Sequence, residues 1–202
     1  SHQFVAEEAA RQLGKPLSRL NLITCHLGGG WSAAAIRRGK PIDVSMGFTP
    51  LEGLVMMTRC GDIDAGAVFY LIKHLSVELG CQEAVKKVYE LLNFQSGIKG
   101  LSEGTDSYLD LVREVSLGNE EAQSALALAF YRLSKYIAGY WLALGGRVDA
   151  IVLTGAIGAG DPFSRQELAR RLRPLGKIKI LRVKTQEELM IARQTRQILR
   201  LV

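Results

Sequence analysis

No apolar run in this 202-residue chain approaches the roughly 18 to 20 residues that crossing a bilayer demands. No secretory signal opens it either, because Ser1 to Lys15 reads as a charged amphipathic helix. Cysteine is scarce: Cys25, Cys60 and Cys81 are isolated, odd in number and without metal-ligand spacing. That pattern predicts reduced thiols and a cytoplasmic protein. There is no internal repeat and no low-complexity linker, and nothing in the composition divides the chain in two. Disorder is excluded by a hydrophobic content of 48 per cent, enough for a sizeable core. The formal charge of +6 admits nucleic acid or phosphorylated small molecules as partners. Much of the excess falls at Arg165, Arg170, Arg171, Arg173, Lys177, Lys179, Arg182 and Lys184. These alternate with apolar residues and carboxylates, which predicts a solvated helix face and strand edge, and no nucleic-acid patch.

Periodicity and breakers predict a helix over Phe4–Leu13, stopped by Gly14, then strands at Asn21–His26, Trp31–Arg37 and Ile42–Val44 in an antiparallel meander. A short helix is expected at Leu51–Met57, helices at Ala65–Leu79 and Glu83–Leu92, and a loop from Gly97 to Asp106. Tyr108–Val115 reads as a short helix. Glu120–Leu144 reads as a long one, apolar on more than one face and so packed centrally. Ala150–Leu153 is a buried strand and Thr154–Gly160 a second glycine-rich loop. Helix Ser164–Leu172, strand Ile178–Val183 and helix Gln186–Leu199 close the chain. The class is α/β, a mixed sheet with an antiparallel meander and packed helices.

The organising stretch is Asn21–Ser32. A strand rich in β-branched residues runs into His26 and Leu27, then into Gly28, Gly29 and Gly30. Three glycines weaken a strand, so they belong where backbone approaches something closely or turns with positive φ. Consecutive exposed N–H groups there can cradle phosphate oxygens, although a plain hairpin turn uses the same residues.

Three segments together resemble the acetate kinase family. Thr24-Cys25-His26-Leu27-Gly28-Gly29-Gly30 is similar to its His-Leu-Gly-Asn-Gly phosphate loop. Ser45-Met46-Gly47-Phe48-Thr49-Pro50-Leu51-Glu52-Gly53-Leu54-Val55-Met56 with Thr58-Arg59-Cys60-Gly61-Asp62-Ile63-Asp64 is far more specific. Thr185-Gln186-Glu187-Glu188-Leu189 is similar to its Thr-Asn-Glu-Glu-Leu segment. The resemblance implies a ribonuclease H-like/actin-like ATPase lobe. It covers only the C-terminal part of a family member, so residues 1–202 are expected to be a single nucleotide-binding lobe, with the N-terminal domain absent from this chain and little activity alone.

The implied activity is reversible transfer of the ATP γ-phosphate to a short-chain carboxylate, acetate, giving an acyl phosphate. Alternatives are a butyrate or propionate kinase, and an inactive nucleotide- or partner-binding lobe. By resemblance Arg59 stabilises the transition state, a role its planar fork suits. His26, Leu27, Gly28, Gly29 and Gly30 contact nucleotide phosphates, Gly29 replacing the usual Asn. Ala156, Ile157, Gly158, Ala159 and Gly160 occupy the second nucleotide loop, with two of its polar residues lost. Ser107, Tyr108 and Leu109 fall at the adenosine segment, where the usual Ser-Asp-x-Arg is altered and Asp106 stands one position early. Pro50 matches part of the acyl pocket, though it suits equally a turn at a helix start. Glu187 matches the ligand of Mg2+, which favours one or two carboxylates plus phosphate oxygens; Thr185 and Glu188 also form a capping-box pattern around it. His2 matches a histidine near the active site and is expected to be disordered. The resemblance also implies a homodimer, with neither nucleic acid nor membrane as partner.

Overall fold

A computed structural model describes residues 1–102, 104–105 and 107–199; the side chains of Glu187, Leu189, Arg193, Gln194 and Gln197 lie outside the description. The chain resolves into two compact units. The first comprises Ser1–Gly28, Ala34–Asp43 and Ile137 onward, the second Gly29–Ala33 and Val44–Tyr136.

The first unit is built on a five-stranded sheet. Its strands are β1 (Asn21–Leu27), β2 (Trp31–Arg37), β3 (Lys40–Val44), β4 (Ala150–Thr154) and β5 (Ile180–Arg182), in the order β3-β2-β1-β4-β5. Strands joined by two or three residues can run only antiparallel, so β1, β2 and β3 form the expected meander. β4 lies parallel to β1, with His26 opposite Thr154, and β5 lies parallel to β4. β5 is shorter than its apolar run because only Ile180 to Arg182 pair as strand.

Helix α1 (His2–Leu13) covers one sheet face. Its Phe4, Val5, Ala6, Ala9 and Ala10 pack with Leu22, Ile36, Ala150, Val152 and Val183. Those positions repeat at helical spacing on α1 and every second residue on the strands, which is why this face is dry. His2 is ordered, against expectation. As the first residue of α1 its Nδ1 lies 2.7 Å from the Thr24 hydroxyl. Burial chiefly, then repulsion from His26, lowers its pKa.

The second unit is mostly helical: α2 (Ala65–Leu79), α3 (Cys81–Phe94), α4 (Gly97–Leu101), α5 (Tyr108–Ser116) and the first part of α6 (Glu120–Ala143). Burial on α6 follows one stripe, Ala122, Ala125, Leu126, Ala129, Phe130 and Leu133, while Leu128 and Tyr131 are exposed. The helix is therefore one-sided, where its composition suggested burial all round. Trp31 packs on Phe130 with ring centroids 5.4 Å apart.

Three further expectations change. Leu51–Met57 forms no helix, because its N–H groups find acceptors outside the run: Gly53 N–H donates to Asp62 Oδ1, Met56 to Arg59 O and Met57 to Gly29 O. Pro50 is thus an exposed loop residue, not a helix-start turn. The expected loop from Gly97 begins as helix α4, its starting N–H groups satisfied by the carbonyls of Met56 and Met57; Asp106 lies outside the described residues. Thr154–Gly160 is not a loop either: β4 passes directly into α7 (Gly155–Gly160). Helix α8 (Pro162–Arg171) follows, and there Glu167 binds Arg170 and Arg171 at 2.7 and 2.6 Å, as a solvated basic face requires. Helix α9 (Glu187–Leu199) closes the chain, so Gln186, rather than Thr185, precedes its first residue.

Candidate active site

The second unit sets Arg59 against the glycine run. A Cβ placed on Gly30 would lie 3.2 Å from Arg59 Nη1, and Gly29 accepts a hydrogen bond from Met57 N–H at 3.2 Å. Neither Gly29 nor Gly30 occupies the left-handed region. Of the two reasons for glycine, close approach is the one the structure uses. Gly29 faces open space: a Cβ there would meet nothing within 4 Å. An Asn there, as the resemblance prescribes, would have room.

Arg59 is half-buried, and its Nη1 lies 3.7 Å from the buried Met56 thioether. Among the described residues no carboxylate pairs with it. A guanidinium taken partly out of water and given only a weak sulfur acceptor has unused donors, which an anion can fill.

The backbone under Arg59 is fixed by residues that sequence reading missed. Ser96, Ile98 and Lys99 donate to the carbonyls of Thr58, Met56 and Met57 at 3.0, 2.9 and 2.8 Å. Gly97 (φ +63) lies so close that an added Cβ would sit 2.6 Å from Arg59 O and 3.0 Å from Arg59 N, and nearer still to Met56 O. A lone Ser-Gly pair was the only sequence signal, and it reads equally as a loop. Asp62 ends the motif as a structural hub. It accepts from Gly53 N–H at 2.9 Å, Arg132 at 3.0 Å and Tyr136 at 2.8 Å. Burial, then the bond to Asp62, raises the Tyr136 pKa to about 12, so the phenol keeps its proton. Burial likewise raises the Cys60 thiol and, to about 12, the Cys25 thiol, leaving no thiolate beside the arginine.

In the first unit, β1 and β4 end side by side and α7 starts against Leu27. A Cβ on Gly155 (φ +82) would sit 3.0 Å from Leu27 N and closer to Leu27 O, while one on Gly158 would be 3.4 Å from Leu27 Cγ. The glycines thus permit a helix to press on a strand end. Ala156 and Gly160 are exposed, Ala159 is half-buried, and Ile157 is buried. His26 is half-buried at the same strand end. The carboxyl ends of parallel strands are where ligands bind in α/β sheets.

The segment expected to meet adenosine, Ser107–Leu109, is less open. Ser107 caps α5 by accepting from Asp110 N–H at 3.4 Å, Tyr108 is buried, and only Leu109 is exposed. Among the described residues no group of three His, Cys, Asp or Glu gathers to hold a metal. Glu187 starts α9, and its side chain lies outside the description. Among the described residues no helix is long and apolar enough to cross a membrane.

Residues 1–177 match the profile of the Acetokinase family. The chain belongs to that family. Its acetokinase relatives include the acetate kinase of Pseudothermotoga lettingae, 44% identical across 98% of this chain and 53% of the relative. The acetate kinase of Caldicellulosiruptor saccharolyticus is 41% identical across 98% and 54%. Among solved acetokinases, the acetate kinase of Porphyromonas gingivalis superposes with a TM-score of 0.87 at 33% identity, covering 98% of this chain and 54% of that one. A propionate kinase from Francisella tularensis gives 0.86 at 34%, covering 95% and 52%. The chain spans about half the length of the curated relatives it matches.

Proposed function

We propose that this chain is the C-terminal, nucleotide-binding lobe of a cytoplasmic kinase that moves the ATP γ-phosphate reversibly to a short-chain carboxylate. The observation that carries this reading is the half-buried Arg59 guanidinium lying against Gly30 without a carboxylate partner. An attacking carboxylate oxygen forms a bond to the γ-phosphorus while the bond to the bridging oxygen of ADP breaks, giving an acyl phosphate and ADP with no net proton transfer. Charge accumulates on the three equatorial phosphoryl oxygens, and a preorganised guanidinium stabilises it. The main-chain N–H groups of Gly28, Gly29 and Gly30, with His26, would hold the outer phosphates; Ala156–Gly160 in the first unit and Ser107–Leu109 in the second are the other nucleotide-binding candidates. Pro50 bounds the acyl group. Glu187 would hold magnesium, which would supply positive charge beside the phosphates.

The test joins this chain behind the N-terminal half of the Pseudothermotoga lettingae relative and compares acetate, propionate and butyrate as acceptors. Acetate is expected to give the highest kcat/KM. A preference for butyrate would revise the acceptor, and no turnover with any of the three would remove the kinase assignment.

A homodimer is part of the proposal. Helix α2 buries none of its residues and leaves Phe69, Tyr70 and Val77 exposed, more apolar surface than a lone helix hairpin ordinarily shows water. Light scattering is expected to give twice the chain mass, reduced to one by Tyr70→Asp with Val77→Asp. A monomeric parent chain would refute it.

A further inference from the structure

The amino ends of β1 and β4 carry a second charged site. Two adjoining cavities of about 520 and 480 Å3 share Asn21, Arg38 and Arg147 as lining. Arg37 borders the first, and Arg19 and Lys177 border the second. Arg37 donates to the Ala143 carbonyl at the end of α6. Among the described residues Arg19, Arg38, Arg147 and Lys177 form no ion pair. The opposing charge is Asp149, already held by Asn21 N–H at 2.9 Å and by Lys15 at 3.5 Å.

The arrangement is fixed from below. Asn21 Nδ2 donates to Arg147 O at 3.0 Å, and Asn21 Oδ1 accepts from Arg38 N–H at 3.3 Å. One asparagine thereby anchors the backbone of both shared arginines. Arg38 also departs from local preference. With Gly39 (φ +80) it forms the β2–β3 turn at φ +49, the one non-glycine residue at positive φ among those described. Such a turn favours Asn-Gly, and an arginine there is strained. Strain retained at a cationic position beside a cavity points to a use for the charge.

We propose that this cleft binds a small anion carrying two or more phosphate groups, at a site separate from the glycine run. Several cations around cavities of small-molecule size match a linked set of phosphates better than a single one.

Tripolyphosphate titrated into the chain tests this by fluorescence and calorimetry. Trp141 borders the second cavity, whereas Trp31 is fully buried, so saturable quenching reports the cleft. Arg38→Asn is expected to fold at least as well, because it suits the turn, yet to weaken tripolyphosphate about tenfold. Arg147→Gln weakens it similarly, and Arg59→Gln leaves the tryptophan quenching by tripolyphosphate unchanged. Absence of saturable binding, loss of the quenching in Arg59→Gln, or binding indifferent to Arg38→Asn and Arg147→Gln would each overturn the proposal. So would binding of a single-stranded oligonucleotide without binding of tripolyphosphate.

Discussion

Arg59→Ala, in this chain joined to a relative's N-terminal half, is expected to lower kcat about a thousandfold while changing the ATP dissociation constant only a few-fold. An arginine meeting charge on a transferring phosphoryl group contributes on that scale, roughly 10³ to 10⁵. The split between kcat and binding follows from where the charge sits. On the proposed reading, ground-state phosphates would have backbone donors at the glycine run and magnesium to balance them. The transferring group gains equatorial charge only as the bond breaks, and an interaction made only then appears in kcat. Arg59→Lys keeps the charge but loses the fork, so it should recover little. Weakened ATP binding with kcat preserved would move Arg59 out of the transition state and into simple binding.

Gly97→Ala carries the second large effect, a loss of about 3 kcal/mol in urea unfolding. Two costs combine. A left-handed backbone costs a residue with a Cβ about 1 to 2 kcal/mol. The new methyl must also displace the Met56 and Arg59 backbone it would overlap. Gly14→Ala separates the two terms, because Gly14 is left-handed at φ 63 and ψ 28 with nothing within 4 Å of an added Cβ. Gly14→Ala should therefore show only the conformational cost. Equal losses at the two positions would mean that the Arg59 turn gives way freely and is not held by α4. Where the turn does shift, the guanidinium shifts with it, so Gly97→Ala should lower kcat as well.

These two residues also mark what a sequence reader can reach. Arg59 stood out as a candidate because it sits in the string Thr58–Asp64, whose residue order is specific. The strands at Asn21, Trp31 and Ala150 were legible because their burial follows from local apolar content. Helix α2 spans the expected Ala65–Leu79, read from apolar spacing and Gly80; the structure adds Asp64 as its cap, accepting from Gly66 N–H at 2.7 Å. Gly97 was not legible. Its requirement comes from a turn some forty residues earlier, and nothing beside it in the chain encodes that contact. Leu51–Met57 failed for the same reason, since its apolar spacing suits a helix while its N–H groups bond to Gly29, Arg59 and Asp62. At Gly155 the error ran the other way. Glycines that suggested a loop instead let a helix pack on Leu27.

The most direct test of the central claim is backbone and arginine side-chain NMR of the 202-residue chain titrated with Mg-ATP. The account predicts its largest shifts at the amides of Gly28, Gly29 and Gly30 and at Arg59 Nε. Saturable binding that leaves those signals in place, or no binding at all, would contradict it.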